Sequence, residues 1–448
     1  MLNRVVAADF STRCGKIKPV CAVNGGPLLG GAELCYDFSE KYREMNVPLV
    51  RVAGRAGEYG FGQRIDIHCI FPDFSADESL ADSYNFEQTD RYLLAVRGCG
   101  ASIFLRLGES AEPYGRKLYV RPPADKEKWA RICEHIVMHY NEGWADGYKL
   151  GIKYLEIWSS PDTDEGFSGE DREYFELYKI TANYLRERFP KIKLGGYSSG
   201  GFSSLNRIGA GDREAGYVAF MQKFLSYIAS DAEKAPLDFF TWECRATTPE
   251  ELAVHARYAR SYLDTAGFKR TKSIISSFNM AEKLNTPPAL MPEYPAELAA
   301  SLVLAQREGV EAVFYSSTEP GARDSALFSV DEAVTCHEYA AFGVMRAFGT
   351  LYRLGTAVET TGDYRGELYT LGAVGGEEAA LIIVTGEWSG KLEIHFEGGG
   401  FSLCDVEKII GGGTRGAGRT LSAEGVAVKD NKILLPAKRK EVYLIKLR

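Results

Sequence analysis

The sequence predicts an α/β chain: a (β/α)8 TIM barrel with a C-terminal antiparallel β-sandwich. Three observations predict it. Eight short apolar runs alternate with amphipathic helical segments up to about residue 350. Beyond that point the pattern becomes short runs separated by Gly-rich or polar turns. The chain has 448 residues, 45% of them hydrophobic, which is ample for a large core and two domains. The expected division is a barrel over 16–350 and a sandwich over 351–448, with residues 1–15 a candidate extra strand of the sandwich.

The runs expected as barrel strands one to eight are Lys18–Val23, Pro48–Val52, Ser102–Leu107, Lys153–Trp158, Lys193–Gly196, Leu237–Trp242, Lys272–Ser276 and Glu311–Tyr315. Each is rich in Val, Ile, Leu or Phe and too short to be a helix. Between them, Phe175, Tyr178, Ala182, Leu185 and Phe189 step by three and four into one apolar stripe, and Pro190 stops that helix. Trp129, Ile132, Cys133, Ile136 and Tyr140 form a second stripe, and a last helix is expected at about Cys336–Gly349. Eight such units favour a closed barrel; an open doubly wound sheet is the structural alternative. The later runs are Glu367–Val374, Ala379–Gly386, Lys391–Glu397, Phe401–Ile409, Val426–Lys429, Lys432–Leu435 and Glu441–Leu447. Turns such as Gly375-Gly376 and Asp430-Asn431 separate them. The glycines from Gly411 to Gly418 read as a hairpin connection. A phosphate-binding loop is the alternative, but neither Gly-Lys-Ser/Thr nor a following helix is present.

The formal net charge of −8 argues against a sequence-independent grip on nucleic acid, and 25% charged residues argue against global disorder. The opening Met1–Asp9 lacks the apolar stretch of a secretory leader, and no run approaches the ~20 apolar residues that span a bilayer. Nine cysteines with no CxxC pair suggest free thiols in a reducing compartment, so a cytoplasmic protein without membrane partners is expected. No cofactor or metal is expected. His135 and His139 are spaced i, i+4, but HExxH is absent and a helix-surface pair is the simpler reading.

The ends of the expected strands carry unusual motifs. Asn24-Gly25-Gly26-Pro27 follows strand one, and Asp66-Ile67-His68-Cys69-Ile70-Phe71-Pro72-Asp73-Phe74 lies in the long loop after strand two. Arg106-Leu107-Gly108-Glu109-Ser110 closes strand three. Glu156-Ile157-Trp158 then Pro161-Asp162 closes strand four, and Tyr174-Phe175 with Leu177-Tyr178 opens the next helix. In this order the motifs resemble glycoside hydrolase family 39, the β-xylosidases and α-L-iduronidases, over about residues 20–350. The resemblance implies a carbohydrate or glycoside ligand and a retaining mechanism. An acid/base Glu would end strand four and a nucleophilic Glu would end strand seven, ~5–5.5 Å apart.

This sequence departs from that pattern at both places. Trp-Asn-Glu-Pro reads Trp158-Ser159-Ser160-Pro161, so Ser160 stands where the resemblance implies the acid/base and Ser159 where it implies the 2-hydroxyl-binding Asn. Glu-Trp-Asn reads Ser277-Phe278-Asn279, so Ser277 replaces the nucleophile. The His-Asp pair after the strand-two arginine becomes Ala53-Gly54 while Arg51 is kept. The strand-six His and Tyr become Glu243 and Arg245, and a strand-eight Asp becomes Ser316 or Ser317. A serine without a base cannot protonate a glycosidic oxygen near neutrality, and losing the carboxylate nucleophile removes the covalent route. One change would fit an engineered trapping variant; five altered strand ends read as a repurposed site.

Glu243 and Arg245 stand two apart and face one side of an extended strand. Facing inward, Glu243 is the candidate catalytic carboxylate and Arg245 a candidate anion binder; a structural salt bridge between them is the alternative. Glu109 and Glu319 are further carboxylates near strand ends, Glu109 as a substrate-positioning candidate. Glu156 is expected to hydrogen-bond inside the barrel. Tyr59, Trp158, Trp242, Phe278 and Tyr315 are candidate sugar-stacking rings, Trp158 foremost, with core packing the alternative. With Arg51, Ser159, Ser160, Ser277 and Asn279 these complete the candidate substrate site. Two functions compete: a sugar-binding pseudoenzyme, and an active glycosidase using relocated carboxylates such as Glu243. A structural subunit is a weaker third.

Overall fold

The computed structural model describes residues 3–30, 35–52, 65–207, 211–230, 234–281, 290–316, 318, 327–330, 336–364, 366–412 and 419–448. Eight strands close a parallel barrel. They are Ala22–Asn24, Leu49–Val52, Ser102–Leu107, Tyr154–Ile157, Lys193–Ser199, Phe239–Ala246, Lys272–Met280 and Ala312–Tyr315, barrel strands one to eight. Strand eight pairs with both seven and one, which closes the ring and excludes the open sheet. Leu49–Val52 and Ala312–Tyr315 are buried at every position, as strands covered on both faces must be.

The barrel interior changes character in one step of two residues. Ala22, Leu49, Phe104, Phe239, Ile274, Ala312 and Phe314, with Tyr154 against them, form an apolar plug. Phe104 lies 5.0 Å from Phe239 and 5.1 Å from Phe314, ring centre to ring centre. Two positions further along, and so on the same face, stand Asn24, Arg51, Arg106, Glu156, Thr241, Ser276 and Ser316. The plug seals the lower barrel, and the polar ring above it becomes the floor of the mouth.

Strands five, six and seven run further than the apolar runs suggested. Register irregularities between Gly196 and Ser199 and between Ile275 and Ser277 insert extra residues without ending the pairing. The polar residues Ser198, Glu243 and Ser277 therefore belong to strands and are carried rigidly to the mouth. The helices follow their end signals. Asp125 caps Lys126–Asn141 by accepting from Lys128 N at 2.8 Å, and Asp171–Arg188 ends just before Pro190. The last helix is Ala340–Leu354, later than expected, because Cys336–Glu338 pairs as a strand with Phe328–Val330. Gly349 lies inside that helix rather than ending it: a Cβ there would stand 1.8 Å from the Met45 carbonyl oxygen. The helix stops instead at Gly355, with φ +87°.

Leu28–Gly30 and Cys35–Asp37 pair separately, and nine further strands form one sheet. Its order is Arg419–Ala427, Leu403–Ile410, Val442–Leu447, Glu378–Thr385, Leu368–Gly375, Thr356–Thr361, Arg4–Lys16, Gly390–Glu397 and Lys432–Ala437. All pairs are antiparallel except Arg4–Lys16 with Gly390–Glu397. Tyr369, Leu371, Ala373, Ile382 and Leu444 join the barrel core, while Val6, Leu381, Ile383, Leu392 and Ile445 build a separate one. Cys14, Cys21, Cys69, Cys99, Cys133, Cys244, Cys336 and Cys404 are free thiols. Among the described residues no helix is long and apolar enough to cross a membrane.

Candidate functional site

A cavity of about 630 Å³ opens at the carboxyl ends of the barrel strands. Its floor holds a buried ion pair. Arg51 donates from Nε to Glu156 Oε2 at 2.8 Å and from Nη2 to the same oxygen at 2.5 Å. Arg51 also reaches Asn24 Oδ1 at 3.2 Å and Ser159 Oγ at 3.3 Å. The kept arginine thus orients two groups that line the cavity. Arg106, in register with Glu156, donates to Asp66, and Ser110 N donates to Asp66 Oδ2 at 3.0 Å.

Ser160 and Ser277 both line the cavity, as do Ser159, Arg51, Glu243 and Arg245. Ser160 has φ +53°, and its hydroxyl donates to Ser198 O at 3.2 Å. Ser277 lies in register with Glu243 on the neighbouring strand. Ser198 Oγ donates to Glu243 Oε1 at 3.5 Å and exchanges a 2.8 Å bond with Ser276 Oγ. Hydroxyls therefore stand at positions 160 and 277, at the ends of strands four and seven. Of the carboxylates that line the cavity, Glu243 stands one strand away from position 277.

Several expected site residues stand elsewhere. Trp158 should face inward by alternation from Glu156, but its own φ of +70° and that of Ser160 break the alternation. The indole turns out among the helices, 1% exposed, 5.8 Å from Trp129, with Nε1 donating to Gly166 O at 2.8 Å. The same turn points Ser159 and Ser160 inward. Trp242 and Tyr315 alternate with inward residues and so face outward. Trp242 Nε1 donates to Ser273 Oγ at 2.9 Å, and Tyr294 OH donates to Tyr315 OH at 3.1 Å. Phe278 is likewise fully buried. Asn279 ties strand seven to strand eight, its Nδ2 donating to Ser316 O at 3.0 Å, and does not line the cavity. Glu109 is buried against His68, accepting from His68 N at 3.0 Å. Burial pushes its carboxyl up to about 7 against the pull of that histidine. Ala53-Gly54, Tyr59, Ser317 and Glu319 lie outside the described residues.

The histidine pair is not on the helix surface. His139 is 2% exposed and stacks on Phe86 at 3.6 Å, with Nε2 3.0 Å from Asp90, while His135 Nδ1 bonds to Arg131 O at 2.8 Å. Asp66, His68 and Glu109 bring ligand-type atoms within 4.8 Å of one another. Arg106 on Asp66 already supplies a positive charge there, and Glu109 holds His68. The cluster holds together as an ion-pair network, with Arg106 Nε and Nη1 buried and without hydrogen-bond partners among the described residues.

Two groups were not among the expected site residues. Asp162 accepts from Ser199 Oγ at 3.0 Å and Gly200 N at 2.9 Å, and its Oδ1 is buried without a partner. Burial pushes its carboxyl up to about 7, and the nearby Glu243 charge acts the same way. His255 lines the cavity from the helix Pro249–Thr265, bonded through Nε2 to Asn206 Oδ1 at 2.7 Å. Burial holds it down to about 4, so it is a neutral donor near neutrality. Asp162 was visible as a residue after Pro161, but a single sequence does not reveal how deeply a carboxyl is sealed.

Residues 46–279 match the family model described as glycosyl hydrolases family 39. A β-xylosidase from Geobacillus stearothermophilus is 21% identical over 238 residues, 49% of this chain and 46% of that protein. The chain therefore spans about half the length of the curated relative it matches. Among solved structures, a glucosidase from Croceicoccus marinus superposes with TM-score 0.78 at 21% identity, covering 100% of this chain and 99% of that one. A GH39 enzyme from Xanthomonas axonopodis pv. citri superposes with TM-score 0.67 at 14% identity, covering 99% and 97%. Both share the barrel followed by a C-terminal β domain.

Proposed function

This chain belongs to the glycosyl hydrolases family 39, and from that premise we propose that it is a carbohydrate-binding member in which the two-glutamate retaining reaction does not run. The observation that carries the reading is the pair Ser160 and Ser277. Both line the cavity, and neither can ionise near neutrality. A missing general acid alone removes about 10²–10⁴-fold, and without a carboxylate at position 277 no glycosyl-enzyme bond forms there. The rest of the mouth suits recognition. Asn24, Arg51, Ser159 and Ser160 offer fixed donors and acceptors for sugar hydroxyls over a sealed apolar plug.

A second reading has one specific observation behind it. Glu243 lines the cavity in register with Ser277, so its strand runs about 4.8 Å from the nucleophile position. Asp162, whose carboxyl is held up to about 7 by burial, accepts from Ser199 and Gly200 and does not itself line the cavity.

The experiment separates them. Calorimetric titration of xylose, glucose and arabinose should give saturable binding, while aryl β-xylosides and β-glucosides should give no aryl release above background. Release abolished by Glu243→Gln but kept in Ser160→Ala would establish the second reading instead. Restoring Ser160→Glu together with Ser277→Glu should create hydrolysis of whichever sugar binds. No binding of any sugar would overturn the recognition reading.

A further inference from the structure

The loop between strand three and the helix Lys126–Asn141 carries three exposed apolar side chains: Tyr114 at 69%, Leu118 at 42% and Tyr119 at 45% exposure. Scattered exposed hydrophobics are ordinary on a protein surface. Here they sit on a loop that is unusually well fixed. One carboxylate oxygen, Glu112 Oε2, accepts from three successive backbone N–H groups, Leu118 at 3.0 Å, Tyr119 at 2.9 Å and Val120 at 3.0 Å. Lys117 Nζ donates to Glu112 O. The loop is also clipped to the segment after strand four, through Glu112 N to Glu165 O at 2.8 Å and Ser168 N to Val120 O at 2.9 Å.

Tyr119 is backed by a second ring. The His68 imidazole lies parallel to it, 3.6 Å between centres and 8° between planes. Burial works against the charge on His68, but bonds to Cys69 and Glu109 raise it to about 10, so an imidazolium supports the phenol ring. One face of Tyr119 is covered from behind, and the ring remains open to solvent elsewhere. The loop also runs straight into the cavity, because Ala111 and Pro113 line its wall beside Glu165.

We infer that Tyr119 and Tyr114 form a second sugar subsite, on which a saccharide unit beyond the one held in the cavity stacks, so that the ligand is an oligosaccharide rather than a free monosaccharide. This rests on the cavity being a carbohydrate site. A pyranose has the matching chemistry: an apolar C–H face for the rings and hydroxyls for the neighbouring Arg116, Lys117 and Arg121. A protein partner fits poorly, since three side chains fall far short of the ~800 Å² per partner of a standard interface. The Glu112 clamp holds the rings in place beforehand, so little ordering is lost on binding.

The test is calorimetric titration of the whole chain with xylo-, gluco- and arabino-oligosaccharides of one to four units. In the series that binds, the tetrasaccharide should bind at least tenfold more tightly than its monosaccharide. Tyr114→Ala with Tyr119→Ala should remove that gain and leave monosaccharide affinity and thermal midpoint unchanged. A monosaccharide bound as tightly as its tetrasaccharide, or a double variant that weakens both equally, overturns the second subsite while the cavity reading stands. If no sugar binds the unaltered chain, both fall together.

Discussion

On the cavity floor, Arg51 is clamped by Glu156 and Arg106 by Asp66, and all four side chains are almost wholly buried, the two arginines bordering the cavity. On the wall, Glu243 is part-exposed and takes a long bond from Ser198, while Ser160 and Ser277 present neutral hydroxyls. The floor charges are tied into the barrel's folding. Removing one leaves its partner buried and unpaired, which is strongly unfavourable. The wall groups border open space and can change with little effect on the fold. A site of this construction can exchange the groups on its wall and keep its pocket.

The largest test of that contrast is Glu156→Ala. It strands Arg51 on the buried floor and should lower unfolding free energy by about 3–5 kcal/mol in urea titrations, with loss of sugar binding. A change below about 1 kcal/mol would mean the floor is as replaceable as the wall. Trp158→Ala should destabilise by a comparable ~3–5 kcal/mol through the cavity left beside Trp129 and Phe167. Sugar affinity measured well below the melting temperature should hold, because the indole faces away from the pocket.

Asp162 gives a pH-dependent test. Its carboxyl is raised from 3.8 to about 7 in the folded chain. The folded state therefore holds the proton more tightly than the unfolded one. Its contribution to stability is fully present below about pH 4 and is lost as the pH rises toward 7 and beyond. Relative to the parent, Asp162→Asn should be nearly neutral at pH 4 and more stable at pH 8 by on the order of 2 kcal/mol, discounted for partial exposure. Equal stability differences at both pH values would show that the carboxyl is not sealed as described. The smallest effect is expected from Ser160→Ala, within about 1 kcal/mol in stability, since it removes one 3.2 Å bond at the rim. A loss several times larger would move Ser160 from wall to floor.

Much of this was legible from residue order alone. Apolar runs located all eight barrel strands, because a strand covered on both faces is built mostly from apolar side chains. Of the polar ring, Glu156 alone was expected to bond inside the barrel; the ring as a whole appears only once the strands are in register. The site was less readable where the backbone departs from regular alternation. Positive φ at Trp158 reverses the side on which the indole emerges, and the irregularity before Ser277 shifts which residues reach the mouth. Neither leaves a mark in composition or period. Burial of a carboxyl such as Asp162 depends on what strand five places beside it, which sequence distance hides. The start of the last helix was misplaced because Cys336–Glu338 takes its conformation from a partner strand rather than from its own residues.

The strand Arg4–Lys16 has a consequence in the order of synthesis. It is made well before its hydrogen-bonding neighbours, Thr356–Thr361 and Gly390–Glu397. At ~5–20 residues per second, this segment waits on the order of tens of seconds with Val6, Ala8 and Phe10 uncovered. The nascent chain can round up its cylinder during that interval, but this strand stays a client for holding chaperones until both neighbours have been made.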